Sequence, residues 1–438
     1  MKSFPSVGLQ VPEILLPIPS VDLEKWSVVA CDQYTSQLDY WESVENIVGT
    51  APSTYHMILP EAYLGSAREK EHASNVYSTM QSYLSQGIFQ KIDGFILVKR
   101  TWDGISRLGL MAALDLERYD YQADSQSLIR ATEGTIIERL PARITIREKA
   151  ELEIPHILVL IDDPEMSVIH PLEKLVREDA RLYQFNLMQA GGHITGHLIK
   201  SEYNQQIVAA LENLKNPSTQ AKKYGISPES PPMLFAMGDG NHSLATAKAI
   251  WEKNKKGLPK GHPARYALVE LVNLHDRSIE FEAIHRLINY CDVDLLTQCK
   301  NYFNGDISIK PCSNYPALKS LVDSVHDSRQ VFGLLFDKQY ICVSIDHPTH
   351  TLTVGSVQLW LDHDLSEKSI DAIDYIHGAD TIHELGMKKN HAGLYLPAMQ
   401  KNALFKSVIK DGPLPRKTFS MGEAHQKRFY LECRKIKV

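Results

Sequence analysis

The segment Met233-Leu-Phe-Ala-Met-Gly-Asp-Gly-Asn-His-Ser-Leu-Ala-Thr-Ala-Lys248 leaves the backbone few solutions. Its short apolar run is bounded by glycine, so it predicts a strand at Leu234–Met237 rather than a helix. Two glycines flank Asp239 and permit a tight turn with unusual dihedrals. A helix over Leu244–Lys255 then follows. A strand that delivers Gly238-Asp-Gly-Asn-His-Ser243 onto a helix start suits an anion, because the first turn offers unpaired N–H groups and the positive dipole end. Asp239 can orient a metal ion or a hydroxyl, and His242 can bind phosphate or move a proton near neutral pH. A simpler reading stays open, in which Asp239 or Asn241 caps the helix and His242 is a surface residue. The spacing is not that of a P-loop.

Around this turn the chain is mixed α and β, an α+β class without regular βα alternation. Strands are expected at residues 94–100 and 108–116, joined by an Asp103-Gly104 hairpin turn. Others are expected at 155–163, at 182–188 with 194–199, at 266–274 and at 428–433. Helices are expected at 68–86, 167–179, 202–216 and 281–289. Residues 332–336, 341–345 and 352–354 suggest a small antiparallel sheet. With 438 residues, of which 43% are hydrophobic and 23% charged, two or three structural units are expected. The divisions read as an N-terminal α+β region 1–116, a core 117–290 carrying the site, and a C-terminal α+β region 291–438 contributing a loop to it.

Lysine and arginine total 47 against 53 acids, for a formal charge of −6. No basic surplus serves nonspecific duplex binding, which argues against nucleic acid as partner. The start lacks a signal-type apolar region and no run of 18 apolar residues occurs, so no membrane partner is expected. The six cysteines form no C-x-x-C pair. Reduced thiols and a cytoplasmic location follow as the expectation. A homo-oligomer stays open.

Other clusters carry candidate chemistry. Arg130-Ala-Thr-Glu-Gly-Thr135 combines a cation, a carboxylate and hydroxyls, a set that can hold an anion and deprotonate an alcohol. Arg139, Arg143 and Arg147 recur every four residues, either lining a cleft or pairing with Glu138, Glu148 and Glu151. Asp162-Asp163 can hold magnesium or form a turn before Pro164. His193 and His197 lack a third zinc ligand. Asn273, His275 and Asp276 close an apolar strand and are candidate site liners. Pro415-Arg-Lys-Thr-Phe-Ser420 offers two cations and two hydroxyls to phosphate, or is a solvated tail. No nucleophile elbow or dinucleotide fingerprint is present.

Three blocks resemble the bacterial and archaeal domain of unknown function 1015 family: 127–147 with 155–163, 237–252 with 262–276, and 374–378 with 414–430. Loops of that family read Asp-Gly-His-His-Arg, His-Glu-x-Thr and Pro-x-Lys-Ser-Thr. Here they read Asp239-Gly-Asn-His-Ser243, Thr132-Glu-Gly-Thr135 and Pro415-Arg-Lys-Thr418, so Asn241, Ser243 and Thr132 depart from the pattern. The first loop is also similar to that of free serine kinases of the ParB/sulfiredoxin fold. The resemblance implies a ParB/sulfiredoxin-like core with an additional C-terminal α/β region. It further implies a magnesium-dependent phosphotransferase acting between ATP, ADP or pyrophosphate and a small hydroxyl substrate, L-serine/O-phosphoserine foremost. In that reading Glu133, Asp239 and His242 are catalytic. Gly238, Gly240, Asn241, Ser243, Arg130, Thr135, Arg143, Lys417 and Thr418 bind phosphate or nucleotide, with Asp239 and Asp162 as metal ligands. The rivals are a metal-dependent phosphohydrolase acting on phosphoserine and using Asp162, Asp239 and the histidines, and a non-catalytic ParB-like nucleotide- or DNA-associated module.

Overall fold

The computed structural model describes residues 2–134, 140–289, 294–324 and 329–437. The chain forms two compact units, one built from 1–280 with 422–438 and the other from 281–421. It is α+β, with mixed and antiparallel sheets. The boundary expected at 116 does not separate units. Strands Ile105–Asp115 and Tyr266–Asn273, from either side of it, pair antiparallel in one sheet.

In the first unit the large sheet runs Arg181–Asn186, His193–Leu198, Ile96–Trp102, Ile105–Asp115, Tyr266–Asn273, Leu158–Ile161, Phe235–Asp239, Ile129–Arg130 and Tyr119–Asp120. The Asp103-Gly104 turn joins the third and fourth of these, with both residues at positive φ (47° and 77°) as a two-residue hairpin requires. Both faces of the sheet are buried, and side-chain alternation divides them. Ile96, Val98, Met111 and Leu268 join one core, packed with Trp26, Tyr183 and the returning chain at Phe429–Leu431. Leu97, Leu110, Ala112, Val269 and Leu271 join the other, together with Phe235, Met237, Leu244 and Trp251.

In the second unit a sheet runs Ile307–Pro311, Gln339–Ile345, Gln330–Phe336, His391–Tyr395, Phe281–Asn289 and Ala372–His377, with Phe419–Met421 also on Phe281–Asn289. Residues 281–289 are therefore a strand, not the expected helix. Three strands hydrogen-bond to this one segment. Tertiary pairing overrides the helix-like spacing of its apolar residues. Residues 352–354 fall at the start of the helix Thr353–Ser366 instead of forming a strand. Of 167–179, one turn at His170–Glu173 is α-helical and Glu178–Ala180 is a 3-10 turn. The expected last strand at 428–433 does not pair as a strand: Phe429 and Cys433 make only isolated bridges to Val29 and Leu15, and the strand Arg434–Lys435 lies just beyond it.

Candidate functional site

The Phe235–Asp239 strand and the Asn241–Asn254 helix meet at Gly240, the helix cap, in the left-handed region at φ 76°. A β-carbon there would lie 3.0 Å from Ile157 Cγ1 and 3.2 Å from Ile157 Cα. Glycine is required on both counts. The cap has no side chain for the first turn, and the first intrahelical N–H bond of this turn runs from Leu244 to the Gly240 carbonyl at 3.0 Å. The helix start is thus an uncapped cluster of amide donors.

Polar side chains surround this turn. Asp239 accepts the Gly240 N–H at 2.8 Å through one oxygen, while the other stands 3.6 Å from Lys427 Nζ. Both side chains are mostly buried, at 18% and 14% exposed, so their attraction is less screened than at a free surface. The Asn241 side-chain Oδ1 is buried with no hydrogen-bond partner among the described residues. Its amide nitrogen lies 3.5 Å from the Thr132 hydroxyl, which itself donates to the Met237 carbonyl at 2.7 Å. Thr132 thereby ties the Arg130–Gly134 segment to the Gly240 turn and places Glu133, half-buried, next in the chain. Ser243 Oγ lies 3.3 Å from His156 Nε2, and His156 Nδ1 lies 3.1 Å from the Tyr430 hydroxyl. Asp32 Oδ2 stands 3.7 Å from the same Nε2.

The structure does not bring every expected residue here. Arg130 pairs with Ala236, three residues before Asp239, and its guanidinium donates to the carbonyls of Ser127 (2.9 Å) and Pro231 (3.0 Å) at the opening end of the strand. Burial lowers its pKa. Its role is to hold two strand entries together, not to clamp an anion at the turn. Asp162 is likewise excluded as a partner of Asp239 in one metal site. Asp239 pairs with Leu158, and Asp162 lies four residues further on, about 13 Å along an extended strand. Its carboxylate already accepts from His275 Nε2 (2.6 Å), Lys223 Nζ (2.8 Å) and the Tyr224 hydroxyl (2.7 Å). Burial raises its pKa, but those three donors outweigh it and leave the carboxyl below the ordinary range. The phosphohydrolase arrangement joining Asp162 to Asp239 loses its geometry on this ground. Arg147 pairs with the buried Glu153, and His193 with Asn186 at 2.9 Å. Among the described residues no group of three or more His, Cys, Asp or Glu is arranged to hold a metal.

Thr135 and the Arg143 side chain lie outside the described residues. Gly238 is part of the strand. His242 occupies the first helical turn, half-buried. Lys417 and Thr418 belong to the second unit. There the buried Arg286 donates to the Lys417 carbonyl at 3.1 Å, Thr418 Oγ1 donates to the Pro415 carbonyl at 2.6 Å, and Lys417 is held at φ 57°. No helix among the described residues is long and apolar enough to cross a membrane.

Sequence reasoning did not find His156, Asp32, Lys427 or Tyr430 as site residues. Tyr430 and His156 are 274 positions apart, and nothing local marks them. One signal was present: His156 and Lys427–Tyr430 both fall within blocks that carry the family likeness.

Residues 15–366 match the family model described as "Protein of unknown function (DUF1015)". No curated protein sequence matches the chain. Among solved structures, a free serine kinase in complex with AMP aligns with a TM-score of 0.38 at 10% identity, over 75% of this chain and 92% of that one. A mutant of a free serine kinase in complex with ADP aligns with a TM-score of 0.39 at 10% identity, with the same coverages of 75% and 92%. A conserved hypothetical protein from Pyrococcus furiosus aligns with a TM-score of 0.35 at 11% identity, over 75% and 95%.

Proposed function

This chain belongs to the DUF1015 family, and we propose that it is a cytoplasmic phosphotransferase. It would move a phosphoryl group between a nucleotide or pyrophosphate and the hydroxyl of a small substrate. The observation that carries this reading is the Gly240 turn. It combines an uncapped helix start, a backbone packed on Ile157 too closely for any side chain, and a flanking Asp239–Lys427 pair. Helix-start amides and a lysine stabilise phosphate oxygens, and positioning with electrostatics supplies most of the catalysis in phosphoryl transfer. The choice of L-serine/O-phosphoserine rests on the likeness of the Asp239–Ser243 loop to that of free serine kinases.

The proposed roles are these. Gly238–Ser243 cradles the phosphates, with Asn241 Oδ1 as a buried acceptor for a ligand hydroxyl or amine. Glu133 takes the proton of the acceptor hydroxyl, and His242 stabilises charge on the transferred group. Arg143 and Thr135 are assigned to anion binding, and the Lys417–Thr418 loop is assigned to anion binding within the second unit. Asp239 fits a magnesium ion held mainly by phosphate oxygens, which needs only one or two protein carboxylates, whereas Asp162 with its three donors does not. When bound, the ion would neutralise charge on the phosphates.

The test is a panel of AMP, ADP, ATP, pyrophosphate and O-phosphoserine, read first by thermal shift with and without magnesium and then by turnover. Stabilisation by a nucleotide or pyrophosphate, followed by transfer to or from serine, is expected. If none of the five raises the melting temperature, the phosphotransferase reading fails.

A further inference from the structure

We propose that Ser243 is a nucleophile with His156 as its base, so that the phosphoryl group passes through a phosphorylated Ser243; this rests on the phosphotransferase reading above. Ser243 stands in the first turn of the helix that opens at Gly240, and its Oγ lies 3.3 Å from His156 Nε2. A hydroxyl and an imidazole at that distance form the pair by which serine is activated, provided a third group orients the ring. Here the orienting group is Tyr430. Its hydroxyl stands 3.1 Å from His156 Nδ1 and accepts the Cys31 N–H, also at 3.1 Å. The two rings meet edge to face, with centroids 5.5 Å apart and an interplanar angle of 87°. His156 and Tyr430 are both buried, at 5% and 2% exposed, so the imidazole has little freedom to turn. With the Nδ1 proton given to Tyr430, the Nε2 lone pair faces Ser243. Asp32 Oδ2, 3.7 Å from Nε2, stabilises the imidazolium once it forms. The amides of the same helical turn supply donors for the phosphoryl oxygens.

The chemistry balances in two halves. In the first, Ser243 Oγ attacks phosphorus, the Oγ–P bond forms, and the bond from phosphorus to the leaving oxygen breaks with its electron pair staying on that oxygen. The Oγ proton moves to His156, which holds it as the imidazolium while the leaving group departs as an anion. In the second, the acceptor hydroxyl attacks the same phosphorus and gives its proton to Glu133, while Ser243 Oγ departs and takes its proton back from His156.

The full chain would be treated with a fluorophosphonate probe, in which fluoride leaves as the Oγ–P bond forms, and separately with labelled ATP or pyrophosphate without acceptor. Intact mass and peptide mapping are the readouts. A single adduct on Ser243 is expected, absent in Ser243→Ala. Labelling should be about 100-fold slower in His156→Gln, the lower range for loss of a general base. Asp32→Asn, on a half-buried residue, serves as a second variant should His156→Gln misfold, and slower labelling is expected there too. The absence of an adduct on Ser243 in the folded protein would overturn the proposal, as would phosphoryl transfer at the wild-type rate in Ser243→Ala. In that last case the phosphotransferase reading survives with direct transfer. A Ser243 adduct with the probe but no transfer from any nucleotide or pyrophosphate would keep the nucleophile and reject the phosphotransferase.

Discussion

Asp239 and Glu270 show two ways of holding a carboxylate, and they predict different consequences when the arrangement is disturbed. Glu270 is buried and salt-bridged to Arg428, which also reaches Glu432 and donates to the Pro155 carbonyl at 3.1 Å. Replacing Arg428 with methionine leaves two buried carboxylates short of their cation. A loss of about 3–5 kcal/mol is expected in urea unfolding. Asp239 retains partial exposure and a partner at 3.6 Å. Asp239→Asn should leave the unfolding midpoint near that of the wild type and lower turnover by at least about 100-fold. Glu133→Gln should behave alike. Full activity in both variants would remove the Asp239–Glu133 assignment, even if nucleotides still bind.

At the scale of elements, the strand–Gly240–helix junction predicts a substitution effect that separates it from ordinary loop glycines. Gly240→Ala meets both a left-handed φ and a backbone atom, Ile157 Cα, that cannot swing away. It should destabilise by about 1–3 kcal/mol and weaken stabilisation by nucleotide. Gly134→Ala, with open space around its missing β-carbon, should do neither, and a thermal-shift comparison of the pair decides the point. This junction was legible in the sequence because its signals are local: an apolar run, two glycines and a helix start. The Asp103-Gly104 hairpin was legible for the same reason. The Phe281–Asn289 strand was not, because its state depends on partners at 372–377, 391–395 and 419–421. The site divides likewise. Asp239 and the Thr132–Glu133 segment were found from local motifs, whereas His156 and Lys427 reach the turn only through folding. Arg130 was misread for the complementary reason, since residue type and closeness to Glu133 say nothing about where a guanidinium points.

For the whole molecule, the division into two units localises a pH effect. His285 lies in the central Phe281–Asn289 strand of the second unit and is 3% exposed. Its ring stacks on Tyr395 with centroids 4.6 Å apart, and its Nδ1 accepts the Leu396 N–H at 3.1 Å. Both contacts suit the neutral ring. Burial, with the neighbouring Arg286, lowers its pKa to about 4; Lys319 and His377 act in the same direction, and Asp323 opposes them. In the unfolded chain the value is about 6.5. Between those limits the unfolded state binds more protons than the folded one, so stability falls as the pH falls. The contribution is complete above about 6.5 and is lost progressively toward 4, at up to about 1.4 kcal/mol per pH unit and about 3 kcal/mol in all. His285→Asn retains an acceptor for the Leu396 N–H and cannot titrate in this range. Its stability at pH 7 should be lower than that of the wild type, because the stacking is lost. Its decline between pH 7 and 5 should be shallower by about 2 kcal/mol. Hydrogen exchange of peptides from 281–289 and 391–395 across that range reads the effect in the unit where it arises. Equal slopes for the two proteins would show that His285 is not the group responsible.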